Sequence, residues 1–256
     1  MNPLSKLLFV IIVGTPLLLT LDWVSATLTL VLEASVMPVL LRGTRLQGRQ
    51  IVAGGRVALR RRIVLGLFVV GAGAVMSGVV ALLYASPAGR VWFEFGPATI
   101  SDNSIELAIA TTIRIAALCV PAVVLFATTD ITDFADALAQ HAQAPERFVV
   151  GALAGMRTLQ LASADLAFVR RARRARGVSA GGIRVVMPLL VLSLRRAETL
   201  SLAMESRGFD SGQERTHYRT SVFTMRDTIA LVLAVAIAIV STGVSIATGA
   251  WSFVIN

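Results

Sequence analysis

Ile105–Ala127 reads IELAIATTIRIAALCVPAVVLFA, and its only charged residues are Glu106 and Arg114. A helix that crosses a bilayer needs about 20 mostly apolar residues, and this run supplies them. It is apolar on all sides, as a helix surrounded by lipid or by other apolar helices should be. Polarity then changes abruptly at Thr128-Thr129-Asp130. The chain therefore holds a membrane span followed by a segment of another kind.

Working outward, four more stretches come near the same length: Leu7–Leu21, Trp23–Leu41, Ile63–Tyr84 and Ile229–Ala247. Asp22 separates the first two and marks a tight turn. Lys6, the apolar residues after it and Val24-Ser25-Ala26 resemble a secretory signal with its cleavage site. A second apolar stretch, Leu28–Leu41, follows at once, so the expectation is a retained helical hairpin. Composition agrees with a membrane protein. Of 256 residues, 55% are hydrophobic and 15% charged, with a mean hydropathy of +0.76; a soluble domain carries about 25% charged residues. The expected fold class is all-α, a polytopic membrane protein with about five transmembrane helices and cytoplasmic amphipathic helices.

The charges predict the orientation. Arg42, Arg45, Arg49, Arg56 and Arg60 to Arg62 follow the second stretch, and the long segment after Ala127 holds the run Arg170 to Arg176 with Arg184, Arg195, Arg196, Arg207, Arg215 and Arg219. The loop between the third and fourth stretches holds only Arg90 beside Glu94 and Asp102, with Pro87, Gly89 and Pro97. The arginine-rich sides are expected in the cytoplasm, the start of the chain inside and its end outside. The organisation that follows is 1–127 for the N-terminal transmembrane helices, 128–225 for a cytoplasmic helical region and 226–256 for the C-terminal transmembrane helix. The setting is a multi-pass protein of the cell's inner (cytoplasmic) membrane.

Within 128–225 the helical signals are local. Thr129 or Asp130 can cap a short helix over Ile131–Gln143, with Asp133 in its first turn. Pro145 opens a longer helix lined by Val149, Leu153, Met156 and Leu159, while Arg157, Gln160 and Asp165 interrupt its polarity; it ends at Gly177. After Ser179-Ala180-Gly181-Gly182, Pro188 opens another, which ends at Gly208. Each helix closes on an arginine followed by glycine: Ala175-Arg176-Gly177 and Ser206-Arg207-Gly208-Phe209. A glycine just past a helix end accepts the left-handed conformation at little cost, and an arginine in the last turn suits the negative end of the helix dipole. One such ending is a cap. Two in the same segment suit a second reading, in which each guanidinium, permanently charged and carrying five donors in a planar fork, pairs with carboxylates or carbonyls of a partner.

The residues Arg171-Ala172-Arg173-Arg174-Ala175-Arg176-Gly177, Pro188-Leu189-Leu190-Val191, Arg195-Arg196-Ala197-Glu198 and Ala203-Met204-Glu205-Ser206-Arg207-Gly208-Phe209 resemble the transmembrane T component of energy-coupling factor transporters, a family that includes the cobalt-transport CbiQ proteins. Asn2-Pro3-Leu4-Ser5-Lys6-Leu7-Leu8 and Thr128-Thr129-Asp130 are similar too. The resemblance is carried mainly by residues 128–226 and elsewhere by hydropathy. The family usually has Ala-Arg-Gly at both helix ends; Ser206 departs from that, and a small serine fits. The resemblance implies a non-catalytic subunit of an ABC-type importer. Two coupling helices, with contact residues Ala175, Arg176, Gly177 and Ser206, Arg207, Gly208, would dock into two cytoplasmic ATPase subunits. The membrane helices would hold a separate substrate-binding subunit that captures a vitamin or a transition-metal ion.

Other residues carry rival readings. Lys6 is the only lysine and lacks a P-loop context, so any ATP is hydrolysed by another subunit. Asp130, Asp133 and Asp136 recur every three residues and, with basic residues nearby, could hold Mg²⁺ and a lipid pyrophosphate. That is the enzyme alternative, a membrane-embedded Mg-dependent transferase; solvated acids on an amphipathic helix are the plainer reading. The run Arg170 to Arg176 has no aromatic residues interleaved, so anionic lipid headgroups suit it better than nucleic acid. His141 and His217 stand far apart without companions, and Cys119, the sole cysteine, is read as packing. No metal site, cofactor or catalytic residue is expected. Glu33 and Arg114 lie inside apolar spans, where ionisable groups face protein rather than lipid. They are expected to pair with each other or to line the interface with the substrate-binding subunit.

Overall fold

The structure is a computed structural model that describes residues 1–20, 22–42, 55–85, 90–95, 98–178, 181–209 and 219–249. Arg45, Arg49, Arg215 and His217, which entered the sequence reading, lie outside the described residues. The chain forms two compact units, Met1–Asp130 with Val222–Asn256, and Ile131–Ser221.

The first unit is built from long apolar helices. Helix α1, Pro3–Leu19, starts with the Asn2 side chain accepting the Leu4 N–H and proline at its first position, both favoured helix openings. Helix α2, Trp23–Arg42, follows a turn in which the Asp22 carboxylate accepts the Ser25 N–H at 2.8 Å and the Ser25 hydroxyl at 2.7 Å. Asp22, expected at a turn, thus caps the start of α2 with its side chain. Helix α3, Gly55–Tyr84, begins eight residues before the apolar run at Ile63. Arginine is a good helix former, so the basic residues ride on the same helix. Helix α4 is Asp102–Ala127, with the Ser101 hydroxyl accepting the Ser104 N–H.

Between α3 and α4 the chain makes an antiparallel hairpin, β1 (Val91–Phe95) and β2 (Ala98–Ser101). The sequence reading placed a plain loop there, since so short a run of alternating residues gives a weak signal beside two long helices. Trp92 donates from its indole N–H to Asp102 at 2.6 Å, and the Arg90 guanidinium lies 5.4 Å from the Trp92 ring. The hairpin decorates one end of the helical bundle and leaves the all-α class intact.

Among the described residues, four helices are long and apolar enough to cross a membrane, within Trp23–Leu40, Leu59–Tyr84, Asp102–Ala127 and Met225–Ala247. Pro3–Leu19, at 17 residues, sits at the short end of the range for a crossing helix. Phe9, Val13, Leu40, Leu125 and Ile237 form a core shared by α1, α2, α4 and the C-terminal helix, and Leu17, Ala26 and Ala117 form a second cluster. Helix α3 packs along α4 through glycine: a Cβ built on Gly78 would lie 2.1 Å from Thr112 Oγ1. Small residues of this kind let membrane helices approach closely.

The second unit contains α5 (Ile131–His141), α6 (Glu146–Ala175), a 3₁₀ turn at Gly182–Val185 and α7 (Val186–Ser206). Pro145 immediately precedes α6. Pro188 falls in the first turn of α7, where a missing N–H costs nothing. Helix α5 packs on α6, and α6 on α7. Val149 and Val169 are buried on α6, but Met156 and Leu159 of the expected apolar stripe are exposed, and α7 buries no residue. Helix α8, Met225–Ala247, returns the chain to the first unit with a capping box between Thr224 and Asp227.

Candidate functional site

The two arginine-glycine endings close in the same way. At the end of α6, Arg176 is the C-cap with φ −90° and ψ 7°, and Gly177 takes φ +68°. The Val178 N–H reaches back to the Arg173 carbonyl at 3.0 Å and the Gly177 N–H to the Arg174 carbonyl at 3.0 Å. At the end of α7, Arg207 has φ −93° and ψ 7°, and Gly208 takes φ +69°. There the Phe209 N–H reaches the Met204 carbonyl at 3.0 Å and the Gly208 N–H the Glu205 carbonyl at 2.9 Å. Each is a complete Schellman closure, which pairs two of the carbonyls a helix end leaves open.

This explains the residue types. Only glycine takes the positive φ without strain. The residue before it ends the helix at the rim, and both Arg176 and Arg207 are exposed there. The Ser206 hydroxyl donates to the Ala203 carbonyl at 3.0 Å, so it folds back on its own helix instead of crowding the arginine.

The helices that carry these tips are tied by a pair invisible in sequence periodicity. Arg196 on α7 donates to both oxygens of Asp165 on α6, at 2.5 and 3.1 Å. The hydrogen bonds it donates to Asp165 hold the Arg196 guanidinium above its ordinary range. Helix α5 clasps the segment that follows α7. The Gln140 amide donates to the Arg219 carbonyl and accepts the Ser221 N–H, both at 2.7 Å, and His141 Nε2 lies 2.9 Å from the Ser221 carbonyl.

The remaining candidates fare differently. Among the described residues, no three His, Cys, Asp or Glu side chains converge as a metal ligand set. Asp133 is engaged by Arg219 at 3.4 Å. The transferase alternative therefore finds no support. Glu33 on α2 is buried, Arg114 on α4 is half-buried, and its Nη2 is buried without a hydrogen-bond partner among the described residues. No ion pair joins Glu33 to Arg114 among the described residues. Phe148, Leu159 and Phe168 of α6 and Met187 and Leu202 of α7 are all well exposed. Their contact with water is costly.

A family model, CbiQ, described as a cobalt transport protein, matches residues 2–218. The energy-coupling factor transporter transmembrane protein EcfT of Exiguobacterium sibiricum is 30% identical over 180 residues, 64% of this chain and 68% of that protein. EcfT of Limosilactobacillus fermentum is 28% identical over 177 residues, 62% of this chain and 66% of that protein. A Bifidobacterium longum protein named as an ABC transporter ATP-binding protein is 29% identical over 175 residues, 60% of this chain and 22% of that protein.

Proposed function

We propose how this chain transmits energy from the premise that it belongs to the CbiQ/EcfT family, the transmembrane components of energy-coupling factor transporters. It is a multi-pass membrane subunit without catalytic activity of its own. ATP is hydrolysed by ABC-type ATPase partners, and a membrane substrate-binding subunit completes the complex. We place the cargo, a vitamin or a transition-metal ion, on that substrate-binding subunit.

In this reading residues 128–225 form the cytoplasmic coupling region, and α1 begins on the cytoplasmic side. The arginines of α3's first turns and of α6 and α7 support that orientation. Each tip enters one of two ATPases: Ala175, Arg176 and Gly177 the first, and Ser206, Arg207 and Gly208 the second. The observation that carries the reading is the repetition of one hydrogen-bonded closure at two helix ends, each leaving a guanidinium exposed at the rim. A rigid tip with a fixed positive charge transmits a push better than a frayed end. The test is Arg176→Glu combined with Arg207→Glu. The doubly reversed chain should stay in the membrane and lose both ATPases on purification; retained ATPases would remove the assigned roles.

Glu33 and Arg114 are assigned to the face that meets the substrate-binding subunit. The support is two ionisable side chains inside apolar helices, where such groups face protein rather than lipid. Arg114→Met should leave the isolated chain at least as stable, because it removes a buried unsatisfied donor. It should weaken co-purification of the substrate-binding subunit, and unchanged co-purification would reject the assignment.

A further inference from the structure

The chain passes between its two units at Asp130–Ile131 and again at Ser221–Val222. Inside the first unit, both crossings are held by the opening turn of α1. Lys6, the only lysine of the chain and 2% exposed, donates from Nζ to the Thr128 carbonyl at 3.3 Å, to Thr128 Oγ1 at 3.0 Å and to Thr129 Oγ1 at 3.1 Å. These two threonines come directly before the outgoing crossing. On the return side the Asp227 carboxylate is fully buried. Its Oδ1 accepts the Asn2 N–H at 2.6 Å and the Ser5 hydroxyl at 2.5 Å, and its Oδ2 accepts the Thr224 N–H at 2.9 Å and hydroxyl at 2.6 Å. Thr224 lies just after the return crossing.

Burying a lysine and an aspartate is costly, and well-packed apolar residues hold helices together at a smaller penalty. What a saturated set of directional hydrogen bonds adds is a single allowed geometry. Apolar contacts can slide; a carboxylate holding four donors and an ammonium holding three acceptors cannot slide without losing partners. One helical turn thus sets the position of both segments through which any push along the backbone must pass.

We propose that Asn2, Ser5, Lys6 and Asp227 are positioning residues for energy coupling: they anchor both crossing segments to α1, so that motion arriving through residues 131–221 moves the membrane helices instead of bending the crossings. This rests on the coupling role argued above. The experiment uses the full complex, with its ATPases and substrate-binding subunit, in lipid nanodiscs. Spin labels are placed at Arg61→Cys on α3 and Leu18→Cys on α1, two exposed positions of the membrane unit, in a Cys119→Ser background, and their separation is read with and without a Mg²⁺-bound non-hydrolysable ATP analogue. With the anchor intact, the separation shifts on nucleotide binding. Lys6→Met with Thr129→Val replaces the ammonium and one of its acceptors by apolar groups and should keep the unfolding midpoint and the bound ATPases while losing the shift. Asp227→Asn, which keeps the volume but removes the acceptor for Thr224, should lose the shift through the other crossing. A shift that survives in either variant overturns the proposal. ATPases that dissociate from both variants assign the cluster to assembly and overturn it as well. If the ATPases fail to bind the chain with its anchor intact, it is the coupling role itself that fails.

Discussion

Arg196 grips Asp165 with both ends of its guanidinium fork, Nη1 to Oδ2 at 2.5 Å and Nη2 to Oδ1 at 3.1 Å, and so joins α7 to α6. Few buried side chains join these two helices otherwise. The pair therefore has a larger share in their alignment than a surface ion pair usually has.

Arg196→Lys tests that share. It keeps the charge but cannot satisfy both carboxylate oxygens with one planar group. Amide hydrogen exchange measured on the purified complex should speed up in α6 and α7 and stay unchanged in α8. Equal exchange in both proteins would reduce the pair to an ornament of the surface.

The tip glycines should resist substitution for conformational reasons alone. Nothing lies within 4 Å of a Cβ built on Gly177, so space is no obstacle there. The positive φ is the obstacle, and left-handed backbone costs an alanine roughly 1–2 kcal/mol. Gly177→Ala should fray the end of α6 and weaken ATPase co-purification while Arg176 is still present. Full retention would mean that the arginine acts without its rigid closure.

Helix α3 offers a contrast within one element. Gly78→Ala would bring a methyl to 2.1 Å from Thr112 Oγ1 and 3.0 Å from the Ala108 carbonyl, whereas Gly71→Ala meets nothing within 4 Å. The first should lower stability in detergent by about 1–3 kcal/mol, as overpacking does. The second should be neutral or slightly stabilising. Thermal unfolding followed by helical circular dichroism separates the two.

Asp22 predicts an acid limit. Burial alone would push its carboxyl up, but hydrogen bonds from Ser245, Ser25 and Thr20 hold it below the usual range. A carboxylate with a lowered value adds stability that is complete above the unfolded pKa of about 3.9 and is lost as pH falls through the folded value. The unfolding midpoint should therefore be flat from neutral pH down to about 4 and drop below it. In Asp22→Asn the midpoint should be lower at neutral pH and the acid-side drop smaller; an unchanged drop would remove Asp22 as its source.

The exposed side chains of α6 and α7 show where a single chain stops being informative. Val149, Leu153, Met156 and Leu159 read as a stripe that should bury itself, yet only Val149 is buried outright. Periodicity identifies a face that avoids water. It does not say whether that face is covered by the same chain or by another molecule.

Taken alone, the amino-acid sequence determined the membrane helices, the turn at Asp22 and the two arginine-glycine tips. Each depends on neighbours along the chain: apolar transfer accumulates residue by residue, and a left-handed helix end requires glycine at one position. Only the tertiary structure decided which polar groups meet. Asp165 finds Arg196 from 31 residues away, Asp22 finds Ser245 from 223, and Asp227 finds the Asn2 N–H from 225. Such pairings depend on how each helix is rotated and how deep it sits against its neighbours. That is set by the packing of whole faces, and no local pattern of residues records it.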